Sequence, residues 1–259
     1  MFAIYKKEMR SYFINPIGYV YMGIFLALSA LVFCYTTFQA NSYDLSLYFY
    51  YMIIAFAILL PLLTMRSFAE ERKMRTEQML LTAPVSLTGM VMGKYLAALT
   101  MFGGSVLLSC INIIPLLTVA GEEKAAAQYE SMAANIGPSG SLIFGALVGV
   151  LLVGAVFIAI GVFISALTES QLSAAVSTIG VTVVLVLLGF VNQIGSDAEG
   201  TRLVSNAAVR FVIDWISVLS RFESFFVGKF DFAAVFYYLS LTFVFVFLTV
   251  RVYERRRWN

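Results

Sequence analysis

The residue types best suited to chemistry are concentrated between Ser67 and Ser86, in the run SFAEERKMRTEQMLLTAPVS, where charged and apolar side chains are most densely mixed. Glu70 and Glu71, with Arg75 close behind, form an acid pair beside a cation. Their EExxxR spacing resembles that of a metal-site motif which also needs histidines further along the chain. The chain contains no histidine. Further on, Gly89, Gly93 and Lys94 approximate a phosphate-binding loop. The glycines are one residue too close together, and Tyr95 stands where a Ser or Thr would hold magnesium. That stretch reads instead as the start of an apolar helix whose lysine snorkels to the membrane surface. No paired carboxylate falls inside an apolar run, and no nucleophile has a base at a recognisable spacing. The chain is therefore expected to be a non-catalytic subunit, with no catalytic, cofactor-binding or metal-binding residues.

The elements that position this stretch follow from composition. At 61% hydrophobic and 12% charged residues, the chain must be solvated by a bilayer. Counting about 20 apolar residues per crossing predicts spans at 17–38, 48–65, 89–119, 142–164, 172–191 and 232–250. The third is longer than a crossing needs and is expected to be tilted, kinked near Pro115 or extended beyond the membrane. The fold class is an all-α integral membrane protein with six transmembrane helices, forming a single domain over 1–259. Residues 1–14 read as an N-terminal interfacial helix, with Phe2, Tyr5, Met9, Tyr12 and Phe13 on one face and Lys6, Lys7 and Arg10 on another. It is not a secretory signal, because the apolar run that follows is too long and lacks a cleavage site. The outer loop 192–231 carries an amphipathic or re-entrant segment before span six, with Phe211, Val212, Trp215, Ile216 and Leu219. Cys34 and Cys110 lie in apolar runs and read as buried small hydrophobes.

Six spans place both termini on one side. If that side is cytoplasmic, only Lys124, Arg202, Arg210, Arg221 and Lys229 of the 17 lysines and arginines fall outside. The stretch between spans two and three is then cytoplasmic, where another protein could push on it. Within it, Ser67 and Glu70 read as a capping box. Glu71 and Arg75 read as a helical ion pair contributing about 0.3 kcal/mol. Pro84 should stop the helix near Thr82, and a second helix should restart at about Thr88. Glu169, at the tip of the short connector Ser165–Ser170, is either a second contact for a cytoplasmic partner or part of a plain polar turn. Asn112, deep in span three, is either interhelical glue or a substrate contact. Gly145, Gly149, Gly154 and Gly161 should let helices approach closely.

The run from Phe68 through Pro84 to Ser86, followed by Gly93-Lys94-Tyr95-Leu96, resembles the loop between spans two and three of ABC-2 type permeases. Three further motifs make the chain most similar to the GldF-like and NosY-like branch of that family. They are Ser165-Ala-Leu-Thr-Glu-Ser-Gln171, Arg221-Phe-Glu-Ser-Phe225 and the ending from Leu248 to Trp258. The resemblance covers essentially the whole chain. Arg75 departs from it, since the family commonly has glycine there.

The resemblance implies a permease subunit that pairs with an ABC ATP-binding subunit and with a second permease subunit, identical or related. ATP and magnesium would be bound by the ATPase, leaving this chain without a cofactor. The loop would form a coupling helix, with Glu70, Glu71, Arg72, Arg75 and Glu77 as polar contacts. Phe68, Met74 and Leu80 would be apolar anchors or would hold the helix to the membrane face. An outer-side accessory protein and membrane lipids are further expected partners, nucleic acid is not, and the setting implied is the bacterial plasma membrane. Family habit favours export. A second reading from a different class is a membrane scaffold of a surface assembly, which would use the same spans without an ATP-driven cycle. A third is a secondary carrier.

Overall fold

The computed structural model describes residues 1–39, 45–78, 86–126, 140–194, 213, 215–226 and 230–258, and every regular element among them is helical. The elements are α1 (Phe2–Ile14), α2 (Pro16–Phe33), α3 (Ser46–Thr64), α4 (Arg66–Lys73), α5 (Leu87–Ser109), α6 (Ile113–Ala126), α7 (Gly140–Leu167), α8 (Gln171–Ile194), α9 (Val218–Phe226) and α10 (Phe232–Trp258). A π-helical turn, Cys34–Gln39, extends α2, and a 3-10 turn, Cys110–Asn112, separates α5 from α6. Among the described residues, six helical stretches are long and apolar enough to cross a membrane: Pro16–Thr37, Ser46–Lys73, Leu87–Ala120, Gly140–Leu167, Gln171–Phe190 and Phe232–Arg257. All six predicted spans are present, displaced by a few residues at most boundaries. The second runs on through α4.

The helices gather around α7, which packs against α3, α4, α5, α8, α9 and α10. Small residues make this position possible. A side chain at Gly154 would collide with the ring of Phe102 on α5, and one at Gly161 with Thr64 on α3. Phe102 in turn meets Phe56 edge-on at 5.1 Å, and Phe56 stacks on Phe25 at 5.7 Å, so α2, α3 and α5 share one aromatic core.

Two prolines leave visible marks. Pro61 has no N–H for the carbonyl of Ala57 one turn earlier. The Thr182 hydroxyl of α8 stands 2.8 Å from that carbonyl and donates to it. Pro115 has the same effect on the carbonyl of Ile111, and the 3-10 turn sits at that point, in the region where a kink was expected. Nearby, the Asn112 amide donates to the Ser29 hydroxyl at 2.9 Å, and Ser29 pairs with the Tyr48 hydroxyl at 2.9 Å. In this state Asn112 joins α2, α3 and the end of α5, which is the interhelical reading of the two considered for it.

Three expectations need correction. Cys34, at the start of the π-turn, is exposed and Cys110 is half-buried. The segment before span six only partly behaves as a surface helix. Trp215 and Ile216 are exposed, but Leu219, Phe222 and Phe225 pack inward, where Gly149 and Gly189 leave room. Phe211 and Val212 lie outside the described residues. Finally, α1 does not rest on a surface alone, since it packs along α5 and α2, with Ile4 buried against Gly93.

Candidate functional site

The connector after span two begins at Met65, where α3 gives way to α4 with no side-chain cap of its own. Ser67 is not the N-cap that its spacing to Glu70 suggests. It is buried, and its carbonyl accepts from Lys94 Nζ at 2.6 Å. The cap comes from another helix: Ser165 Oγ of α7 accepts from the backbone N–H groups of Phe68 and Ala69, each at 3.1 Å, and donates to the Met65 carbonyl at 3.2 Å. In return, Arg72 of α4 donates to the carbonyls of Ala166 at 2.6 Å and Leu167 at 3.3 Å, at the C-terminal end of α7. The two helices cap one another.

The helix also ends earlier than expected. Arg75 N–H bonds to the Arg72 carbonyl and Thr76 N–H to the Glu71 carbonyl, both at 3.0 Å, and Arg75 has φ 57°. This is a Schellman termination with its left-handed residue at Arg75, a place that favours glycine. Arg75 therefore cannot form the expected helical pair with Glu71. The expected stop near Thr82 and the anchor Leu80 lie outside the described residues. Glu77 and Gln78 are helical again, and α5 starts at Leu87, where the Ser86 hydroxyl accepts from Gly89 N–H at 3.2 Å.

Glu71 takes part in a different cluster. Its carboxylate meets Lys7 Nζ of α1 and Lys94 Nζ of α5, both at 3.0 Å, and Lys94 also meets Glu8 at 2.9 Å. Lys94 is only 2% exposed, so it does not snorkel. Its three N–H groups are satisfied by Glu8, Glu71 and the Ser67 carbonyl. It also stands 4.9 Å from the centre of the Phe68 ring. Partial burial of Lys7 lowers its pKa, but the Glu71 hydrogen bond and the charges of Glu71 and Glu8 outweigh this and raise it overall.

A second cluster involves the far end of the chain. Glu77 lies 3.3 Å from Arg72 and 3.2 Å from Arg256 of α10, while the ring of Tyr253 packs on Phe68 at 4.8 Å. Arg66 donates through Nε and one Nη to both carboxylate oxygens of Glu70 along α4. Each carboxylate here faces a lysine or arginine, so the arrangement holds helices in place and is poorly suited to moving protons.

The sequence-selected residues thus divide. Phe68 is buried, Glu70, Glu71, Arg72 and Glu77 are partly buried in ion pairs, and Arg75 is exposed with Lys73, Met74 and Thr76 at the tip. Met74, considered as an anchor, is 68% exposed. Glu169 is exposed in the turn between α7 and α8 and makes no ion pair with another described residue. Sequence reasoning missed Glu8, Ser165, Tyr253 and Arg256, and misread Lys94. A lysine several residues inside an apolar helix was the available signal, since such a charge requires a partner.

Among the described residues, six apolar helices, α7 central among them, with a short charged helix clamped at one end, define a multi-pass membrane protein. Residues 13–134 match the family model described as ABC-2 family transporter protein, which supports an ABC-2 type permease of an ABC transporter. The matched region runs from the end of α1 past α6 and includes α4 and Lys94. No curated protein matches the chain.

Proposed function

We propose that the chain is the permease subunit of an ATP-driven exporter and that α4 is its coupling element, pushed by a separate ATP-binding subunit that carries the ATP and magnesium. One observation supports this most directly. The Lys73–Thr76 tip is exposed, while α4 behind it is tied by Glu71 to α1 and α5, by Arg72 to α7 and by the Phe68–Tyr253 contact to α10. A displacement of the tip is therefore passed to four helices at once. Closure of the ATPase pair would shift the spans between two arrangements by its differential affinity for them. The excess of lysine and arginine at this end supports a cytoplasmic setting for it. Two permease chains complete the pathway, in a bacterial plasma membrane, and resemblance to the GldF-like and NosY-like branch carries the direction of export.

The geometry refines which residues meet the partner. Lys73 and Arg75 make the exposed tip basic, which suits an acidic groove. Glu71 and Arg72 serve mainly to hold α4 in place. Reversing Glu71 and Arg72 would disrupt the internal ties, whereas Lys73→Glu with Arg75→Glu alters only the exposed tip. The test is to extract the protein gently from its native membrane, identify the ATPase that accompanies it and measure hydrolysis. The tip reversal should reduce co-purification and stimulated hydrolysis by tenfold or more at an unchanged melting temperature. An ATPase that stays bound and stimulated would overturn the coupling role of α4. A chain that purifies without any ATPase would shift the assignment to a membrane scaffold or an ion-driven carrier.

A further inference from the structure

A cavity of about 510 Å³ opens between α1, α2, α3 and α4. Its mouth is polar, with Glu8 and Ser11 from α1, Asn15, and Arg66 and Glu70 from α4. Its wall is apolar, formed largely by Val20, Ile24, Leu59 and Leu63. Val20 and Ile24 are themselves exposed, so the wall opens sideways into the bilayer. Tyr21, which also lines the cavity, is 5% exposed, and its hydroxyl has no hydrogen-bond partner among the described residues. It sits one helical turn, about 6 Å, deeper than Ile17 at the start of the span.

We propose that this cavity binds an aminophospholipid, with the phosphate on Arg66, the primary ammonium on Glu70 and an ester carbonyl accepting from the Tyr21 hydroxyl. Arg66 donates two of its five N–H groups to Glu70 and has three left for phosphate oxygens. The mouth presents a guanidinium and a carboxylate side by side, which matches a zwitterion better than a simple anion. A quaternary choline has no N–H to give Glu70, whereas a primary ammonium has three. Tyr21, one turn along α2 from Ile17, offers a donor unpaired among the described residues in the same cavity for an ester carbonyl. The acyl chains leave past Val20 and Ile24 into the membrane. This inference concerns lipid recognition by the permease fold itself and does not depend on ATP coupling.

The full chain would be placed in nanodiscs of phosphatidylethanolamine, phosphatidylcholine and phosphatidylglycerol in equal parts with identical acyl chains. It would then be transferred to mild detergent and its retained lipid counted by mass spectrometry. The ethanolamine lipid should be enriched at least fivefold over the other two. Tyr21→Phe removes a hydroxyl with no internal partner among the described residues, so it should leave folding intact and cut the total lipid retained by about fivefold, the size of one hydrogen bond, with the ratio of the three lipids unchanged. Val20→Trp, on the exposed wall, should abolish the enrichment at an unchanged melting temperature. Equal retention of the three lipids, preference for the glycerol lipid, or enrichment that survives Val20→Trp would each overturn the proposal.

Discussion

Lys94 and Arg75 sit at opposite ends of the same problem, a cation where the local backbone or solvent would prefer something else. Lys94 is held by two carboxylates and a carbonyl in an almost dry setting. Lys94→Ala should therefore cost about 3–5 kcal/mol, because Glu8 and Glu71 lose a buried counter-charge. Lys94→Met combined with Glu8→Gln should recover most of that loss, since Glu71 keeps Lys7 at 3.0 Å. A melting series in detergent distinguishes the two. Arg75 is the reverse case, an exposed side chain on a left-handed backbone. Arg75→Gly should raise stability by about 0.5–1 kcal/mol, the steric cost of the left-handed conformation less the extra chain entropy of glycine. The left-handed backbone is the physical reason that glycine suits this place, and a thermal-shift measurement checks the sign.

The pairing of α4 with α7 decides how well the connector keeps its shape. Ser165→Ala would leave the N–H groups of Phe68 and Ala69 without their acceptor in a buried place. The expected cost is about 1–3 kcal/mol, with faster amide hydrogen exchange confined to the first turn of α4. The same pairing shows what the sequence could and could not reveal. Span positions were legible because they depend on run length alone, and the break near Pro115 was legible because proline acts on its own turn. The start of α4 was not. Ser67 and Glu70 have the spacing of a local cap, yet the actual cap lies 97 residues away in sequence. Likewise, Glu8, Lys94 and Arg256 come together only after α1, α5 and α10 have packed, so no local pattern joins them to Glu71 or Glu77.

Taken as a body, the molecule is a set of helices that lean on α7, and its tolerance to change should follow that geometry. Gly154→Leu would drive a side chain into Phe102, which is already packed on Phe25 and Phe56. Overpacking of this kind costs about 1–3 kcal/mol or more, and a loss of folded, monodisperse protein on size-exclusion chromatography is the expected readout. Gly104→Ala is the matched control. Among the described residues nothing lies within 4 Å of a side chain there, so the yield should hold.

The mutual caps of α4 and α7 also impose a schedule. Ser165 leaves the ribosome 97 residues after Phe68, a delay of roughly 5–20 s at ordinary synthesis rates. During that interval α4 has neither the hydroxyl that receives its first N–H groups nor the α7 carbonyls that hold Arg72. The clasp from Arg256 to Glu77 arrives later still, with the last helix. A nascent chain stopped before Ser165 should therefore expose α4 to proteolysis, one stopped after α8 should protect its first turn, and only a chain that includes Arg256 should close the site completely.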